Sequence, residues 1–176
     1  MTCIVGIADG TTVHMGADSM VNDGSLKSTL AEGKLWKSGE LLFGGCGNMR
    51  PIQVLRHKLI IPLQDDTQDV DEYLASSLMD AIVATLDEAG LRTKQGQIRG
   101  GGGLMLGYRG TLYSIGPDLF VCAFADQYGA DGSGRDYALG SLHSSTGTPR
   151  KRLERALQAA AYHELHVAPP FVIQSV

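Results

Sequence analysis

Two apolar runs rich in β-branched residues, residues 3–8 (CIVGIA) and 11–17 (TTVHMGA), are separated only by Asp9 and Gly10. Asp-Gly between such runs is a strong hairpin signal, because both residues tolerate positive φ. Neither run alternates apolar with polar side chains, so the sheet they enter must be covered on both faces. With Asp9 and Gly10 as the loop, paired positions sum to nineteen: Ala8 faces Thr11 and Thr2 faces Ala17. Register alone then brings Asp18 beside Thr2.

The remaining text supplies the cover. A polar stretch, residues 21–28, leads to an expected strand over 29–37 that carries Lys34, and Ser38-Gly39-Glu40 turns the chain into LLFGGC, residues 41–46. Centring that hairpin on Gly39 puts Lys34 near Gly44, close to the run Gly44-Gly45-Cys46-Gly47. Glycines in a strand interior mark a bulge or the close approach of another backbone or ligand. Helical spacing follows in Met49, Ile52, Val54, Leu55 and Leu59, with Pro51 in the first turn, and again over 70–89, where Leu74, Leu78, Ile82, Val83 and Leu86 form the apolar side. Arg99–Gly103 (RGGGG) lacks the Gly-Lys-Ser/Thr of a phosphate loop and reads as a flexible lead-in to a strand at 104–107. Strands are expected at 111–115 and as a short pair within 119–129. A helix opened by Asp131-Gly132-Ser133-Gly134, another from Pro149 to about 165, and a last strand at 171–174 complete the chain. Strands, two helices, strands, two helices and a strand describe an α+β chain whose mostly antiparallel sheets pack together beneath outer helix pairs.

Bulk properties narrow the function classes. The chain has 176 residues, enough for one well-buried domain over 1–176. Net charge is -4, and the cluster Arg150, Lys151, Arg152 and Arg155 interleaves with Leu153 and Glu154, as a solvated helix face does. No nucleic-acid partner is expected. Cys3, Cys46 and Cys122 lie far apart without CxxC spacing, which argues against zinc and against a disulfide framework. His163 and His166 lack a third ligand at recognisable spacing, and His14 fits a satisfied core histidine; neither a metal nor another cofactor is expected. No apolar run reaches the length of a membrane span, and no basic-then-apolar leader precedes the first strand, so a cytoplasmic protein is expected.

Thr2 is the residue with chemistry to offer. If Met1 is trimmed, Thr2 carries a hydroxyl and a free α-amine on adjacent atoms, a nucleophile with its own base. The amine's ordinary pKa of about 7.7 to 8.0 leaves much of it neutral near pH 7 to 8.

Thr2, Asp18, Lys34, the G-C-G ending at Gly47, and Ser133 in GSGRDYALG occur in an order that resembles the proteasome-type N-terminal-nucleophile hydrolases, over essentially the whole chain. Its compactness is similar to the bacterial branch, HslV and the β-proteobacterial proteasome homologues. The resemblance implies a four-layer αββα sandwich and a threonine-type endopeptidase of unfolded polypeptides. It further implies stacked homo-oligomeric rings of six or seven subunits, fed by a partner ATPase unfoldase ring. Under it Thr2 is the nucleophile, Lys34 held by Asp18 lowers the pKa of the amine, the Gly47 N–H donates to the oxyanion, and Ser133 assists proton transfer. Val21, Trp36, Gly45 and Met49 are then expected around the specificity pocket, roomy at Gly45. Two positions depart from the family: Glu164 and Val167 stand where its last helix supplies an Asp and a Ser. A non-catalytic ring or scaffold subunit and a small-amide amidohydrolase stay open as alternatives.

Overall fold

The computed structural model describes residues 2–176. The chain forms an antiparallel sheet in the order β10-β1-β2-β11, a second antiparallel sheet in the order β5-β6-β7-β8-β9, and a small ribbon of β3 and β4. The first sheet comprises β1 (Cys3–Ala8), β2 (Val13–Asp18), β10 (Tyr128–Gly132) and β11 (Phe171–Ser175); the ribbon is β3 (Met20–Asn22) and β4 (Lys27–Thr29). The second contains β5 (Leu35–Ser38), β6 (Leu41–Gly45), β7 (Leu104–Tyr108), β8 (Thr111–Ile115) and β9 (Val121–Ala123).

Three apolar clusters define the layers. Ile4, Val13, Met15 and Ala17 meet Leu35, Leu42, Met105 and Leu112 between the two sheets. Cys3, Val5 and Ile7 point the other way, against Ala138, Leu142, Leu153, Ala156, Leu157 and Ala160 of α4 (Arg135–Ser144) and α5 (Pro149–His163). Phe43, Leu104, Leu106 and Ile115 face α1 (Met49–Lys58) and the helix built from α2 (Val70–Tyr73) and α3 (Met79–Glu88). Strands 1 and 2 are therefore buried on both faces, as their composition requires, and the architecture is the expected αββα sandwich with helix pairs outside.

Between α2 and α3 the helix passes through a π segment, Leu74–Leu78. Leu74, Leu78, Ile82 and Leu86, at most 1% exposed, repeat every four residues. In an unbroken α-helix three such steps drift by about 120°. The wider π turn takes up about one residue's rotation, which returns all four to a single face.

Several expected details change. The first hairpin pairs Ala8 with Val13 and Ile4 with Ala17, so partners sum to twenty-one. Asp9 is responsible: its Oδ1 accepts from Thr11 N at 2.9 Å, Thr11 Oγ1 at 3.1 Å and Thr12 N at 2.8 Å, closing an Asx turn that makes the loop four residues long. The slip is two residues, so every side chain keeps its face. The strand expected at 29–37 is interrupted; β4 ends at Thr29 and β5 begins at Leu35, with Lys34 just before it. Lys34 faces Gly45 rather than Gly44, since the Gly45 N–H donates to the Lys34 carbonyl at 3.0 Å. The strands within 119–129 do not pair with each other; β9 extends the second sheet, while β10 crosses to the first and includes Asp131 and Gly132. Among the described residues, no helix is long and apolar enough to cross a membrane.

Candidate active site

At one end of the sandwich, the start of β1, the end of β2 and the end of β10 converge. Cys3 pairs with Gly132 across one edge of β1, and Ile4 pairs with Ala17 across the other. This sets Thr2 between Asp18 and the Gly132-Ser133 corner. The Thr2 nitrogen donates to Ser133 Oγ at 3.3 Å, and Ser133 Oγ lies 3.4 Å from the Thr2 carbonyl oxygen. The expected loss of Met1 lies outside the described residues.

Behind Thr2, Asp18 is fully buried and Lys34 is 1% exposed, with Lys34 Nζ 2.8 Å from Asp18 Oδ1. The same oxygen accepts from the Cys3 N–H at 2.9 Å, and Oδ2 accepts from the Met20 N–H at 3.1 Å. One carboxylate thus ties the lysine to the peptide that joins Thr2 and Cys3. Burial pulls the Lys34 pKa below the ordinary lysine value, and Asp18 opposes that pull. Burial also pushes the neighbouring thiols, Cys3 and Cys46, up to about 12, so both are inert rather than nucleophilic.

The opposite wall is backbone. Gly47 has φ +87°, and a Cβ built on it falls 2.6 Å from Gly102 Cα. Gly102, at φ +101°, lies against the Cys46 carbonyl, which leaves no space for a side chain there either. The RGGGG segment is therefore packed beneath Gly47. Thr2, Cys46, Gly47, Gly102, Asp131, Gly132, Ser133, Arg135 and Asp136 line an open cleft of about 450 Å³. Thr2, Gly47 and Ser133 share this cleft, and the Asp18–Lys34 pair stands behind it.

The residues expected around the specificity pocket are not part of that lining. The space left by the missing side chain of Gly45 is filled: a Cβ there meets Ile52 Cγ1 at 2.6 Å. Position 45 is closed by α1 rather than roomy. Trp36 is 6% exposed, stacks on Phe43 with ring centroids 5.2 Å apart, and belongs to the helix–sheet core. Met49 packs against that core, and Val21 sits in the β3–β4 ribbon opposite Ser28. On the other flank, Glu164 caps the end of α5 and accepts from the His166 N–H at 3.3 Å, with its Oε1 2.8 Å from His166 Nδ1. Val167 is buried against Gly134. Neither lines the cleft.

Sequence reasoning missed Gly102, Asp131, Arg135 and Asp136. Asp131 was hidden because β10 reads as the start of a helix; once Asp131 pairs with Ile4, its side chain faces the inter-sheet space. Among the described residues, no cluster of three or more His, Cys, Asp or Glu is arranged to hold a metal ion.

No protein-family model and no curated protein sequence matches the chain. Solved structures do match it along its length. Thiobacillus denitrificans BPH in complex with epoxomicin superposes with a TM-score of 0.81 at 15% identity, over 99% of this chain and 98% of that one. Eukaryotic HslV from Trypanosoma brucei gives 0.72 at 18%, over 99% and 98%. The chain has the proteasome-type N-terminal-nucleophile hydrolase fold. Anbu, an ancestral beta-subunit from Yersinia bercovieri, shares that fold with a TM-score of 0.72 at 17% identity, over 99% of this chain and 81% of that one. Identities this low speak for the proteasome-type fold and not for the chemistry carried on it.

Proposed function

We propose that the chain is a threonine-type endopeptidase subunit, a single β-subunit-like domain over residues 1–176, with Thr2 as nucleophile after removal of Met1. The observation that carries the reading is the buried Asp18–Lys34 pair, hydrogen-bonded to the peptide that follows Thr2. A buried ion pair is weak evidence for stability, because desolvation offsets its attraction. Placed against a hydroxyl and an amine, it has a chemical use.

Thr2 Oγ1 attacks the scissile carbonyl while the Thr2 α-amine takes the hydroxyl proton through a water. Lys34 remains protonated through Asp18 and lowers the pKa of the amine, since a nearby like charge disfavours ammonium. The Gly47 N–H donates to the oxyanion, a contact of a kind whose loss costs about 10²- to 10³-fold in rate. Ser133 Oγ, beside the Thr2 nitrogen, passes the proton to the leaving amine. Water then hydrolyses the acyl-enzyme.

An open cleft on so small a chain suits a chamber that restricts access by assembly. Large apolar side chains stand exposed after α1, at Ile60 and Leu63, and at the end of α5, at Tyr162 and Leu165, which fits surfaces covered by neighbouring subunits in stacked rings of six or seven. Unfolded polypeptide is the substrate, delivered by a partner ATPase ring. The three free cysteines fit a reducing cytoplasm.

The test is the intact mass of the purified protein before and after incubation with a peptide epoxyketone, which requires both a threonine hydroxyl and a free α-amine. Loss of Met1 and one adduct per subunit is the expected result. A retained Met1 overturns it in favour of a non-catalytic ring subunit, because a blocked amine removes the base. Turnover of a small amide without cleavage of any polypeptide would reassign the substrate.

A further inference from the structure

The backbone around Lys34 is held from a second direction. Lys34 precedes β5, an edge strand of its sheet. The chain bends at Lys34 before it enters β5. The carbonyl of Lys34 turns inward and accepts from the Gly45 N–H of β6. Those of Gly33 and Leu35 face the open edge, where, among the described residues, no strand continues the ladder.

Arg56, in the last turn of α1, closes that edge. Its Nη2 donates to the Gly33 carbonyl and, at 3.1 Å, to the Leu35 carbonyl. Its guanidinium carbon lies 5.3 Å from the Trp36 ring centroid, a cation–π contact one residue further along the strand. Nη1 reaches Glu32 Oε2 at 3.3 Å, but Glu32 is 66% exposed, so this pair contributes little. The weight of the interaction therefore falls on residues 33, 35 and 36, the immediate neighbours of Lys34.

We propose that Arg56 is a positioning residue for the active-site cation: its guanidinium Nη2 bridges the carbonyls on either side of Lys34 and fixes where Lys34 Nζ meets Asp18. The inference rests on the endopeptidase reading for its catalytic consequence only; the clamp itself is a statement about the backbone. Geometry explains the choice of residue. One guanidinium nitrogen reaches both carbonyls while the group also lies against an indole, a contact that the compact, strongly hydrated ammonium of lysine does not reproduce. Arg56 touches neither the cleft nor a reacting atom, so it acts through Lys34.

The experiment compares Arg56→Met, which keeps the stem over Trp36, with Arg56→Ala and Arg56→Lys in the assembled protein. Expected for Arg56→Ala is a fall in kcat of about 10- to 10²-fold with KM little changed, the signature of a misplaced group outside the substrate contacts. Ethylguanidinium added at sub-denaturing concentration restores part of the rate of Arg56→Ala, and Arg56→Lys does not recover it. A kcat equal to wild type in all three variants overturns the proposal, and so does a loss that ethylguanidinium leaves unchanged in properly assembled protein. A second measurement does not depend on catalysis. In a Thr2→Ala background, amide hydrogen exchange at Gly45, which donates to Lys34, is expected to speed up by about tenfold in Arg56→Met while Val5 in the first sheet is unaffected. Unchanged Gly45 exchange overturns the clamp whether or not the protein proves to be a peptidase.

Discussion

The two walls of the cleft are made from different materials. The wall from the first sheet presents side chains: Thr2 and Ser133 stand at strand ends with Asp18 buried behind them, and the register of β1 with its neighbours sets their spacing. The wall from the second sheet presents backbone, Cys46, Gly47 and Gly102, in conformations that only glycine adopts readily at 47 and 102. Lys34 belongs to the second by sequence and reaches the first through Asp18. A nucleophile needs particular atoms, and an oxyanion site needs a particular curvature of the chain, so the two walls should respond differently to substitution.

The largest effect is expected on the side-chain wall. Thr2→Ala should reduce peptide hydrolysis by several orders of magnitude and leave ring assembly intact, as read by a peptide assay beside native mass. Activity retained in that variant would remove the mechanism altogether.

Breaking the link between the walls comes next. Lys34→Met strands the Asp18 carboxylate in the core, and removing one partner of a buried pair costs about 3–5 kcal/mol. Asp18→Asn combined with Lys34→Met should recover much of that stability in denaturant titrations and none of the activity. If the double variant is as active as wild type, Lys34 has no electrostatic part in the reaction.

A smaller effect is expected on the backbone wall. Gly102→Ala must hold alanine at φ +101° and place a methyl group against the Cys46 carbonyl. A strained backbone of this kind costs about 1–3 kcal/mol. Displacement of Gly47 should reduce kcat more than it changes KM. A normal kcat there would mean that the Gly47 N–H is not the oxyanion donor.

Alkaline pH acts on both walls without any change of sequence. The ordinary thiol value is 9.0, and both Cys3 and Cys46 are pushed up to about 12 in the fold. Above pH 9 the unfolded chain gives up thiol protons that the folded chain retains, so stability falls with pH until the folded thiols also ionise. Lys34 acts in the opposite sense, because its lowered value lets the folded chain release a proton that the unfolded chain holds up to its ordinary 10.5. The steepest loss is therefore expected between pH 10.5 and about 12, at up to about 1.4 kcal/mol per pH unit for each thiol. Chemical denaturation across that range should show the slope, and Cys46→Ala should reduce it.

The same division explains what could be read from the sequence. The Thr2–Asp18 part of the first wall was legible because it is local: two apolar runs and a turn bring Asp18 to Thr2 even when the loop length is misjudged, since the Asx turn at Asp9 shifts the register by an even number. The second wall is assembled from segments more than fifty residues apart. Nothing within RGGGG announces that it will lie beneath Gly47, and nothing at Gly45 reveals that Ile52 closes it, because both facts arise from how β7 and α1 pack on β6. Trp36 misled for a related reason. Its strand position was right, but the ring is claimed by Phe43 and the Arg56 guanidinium.

The π turn at Leu74–Leu78 bears on how the chain length of this protein can change. Elsewhere in a helix, losing one residue rotates everything downstream by about 100° and turns core side chains toward water. Here the wide turn already stores one residue beyond what a regular helix holds. A deletion at Ala75 can be absorbed by tightening that turn, leaving Ile82 and Leu86 facing the sheet. The segment is a length buffer, a place where a sequence can shorten by one residue while the two halves of the helix keep their phase.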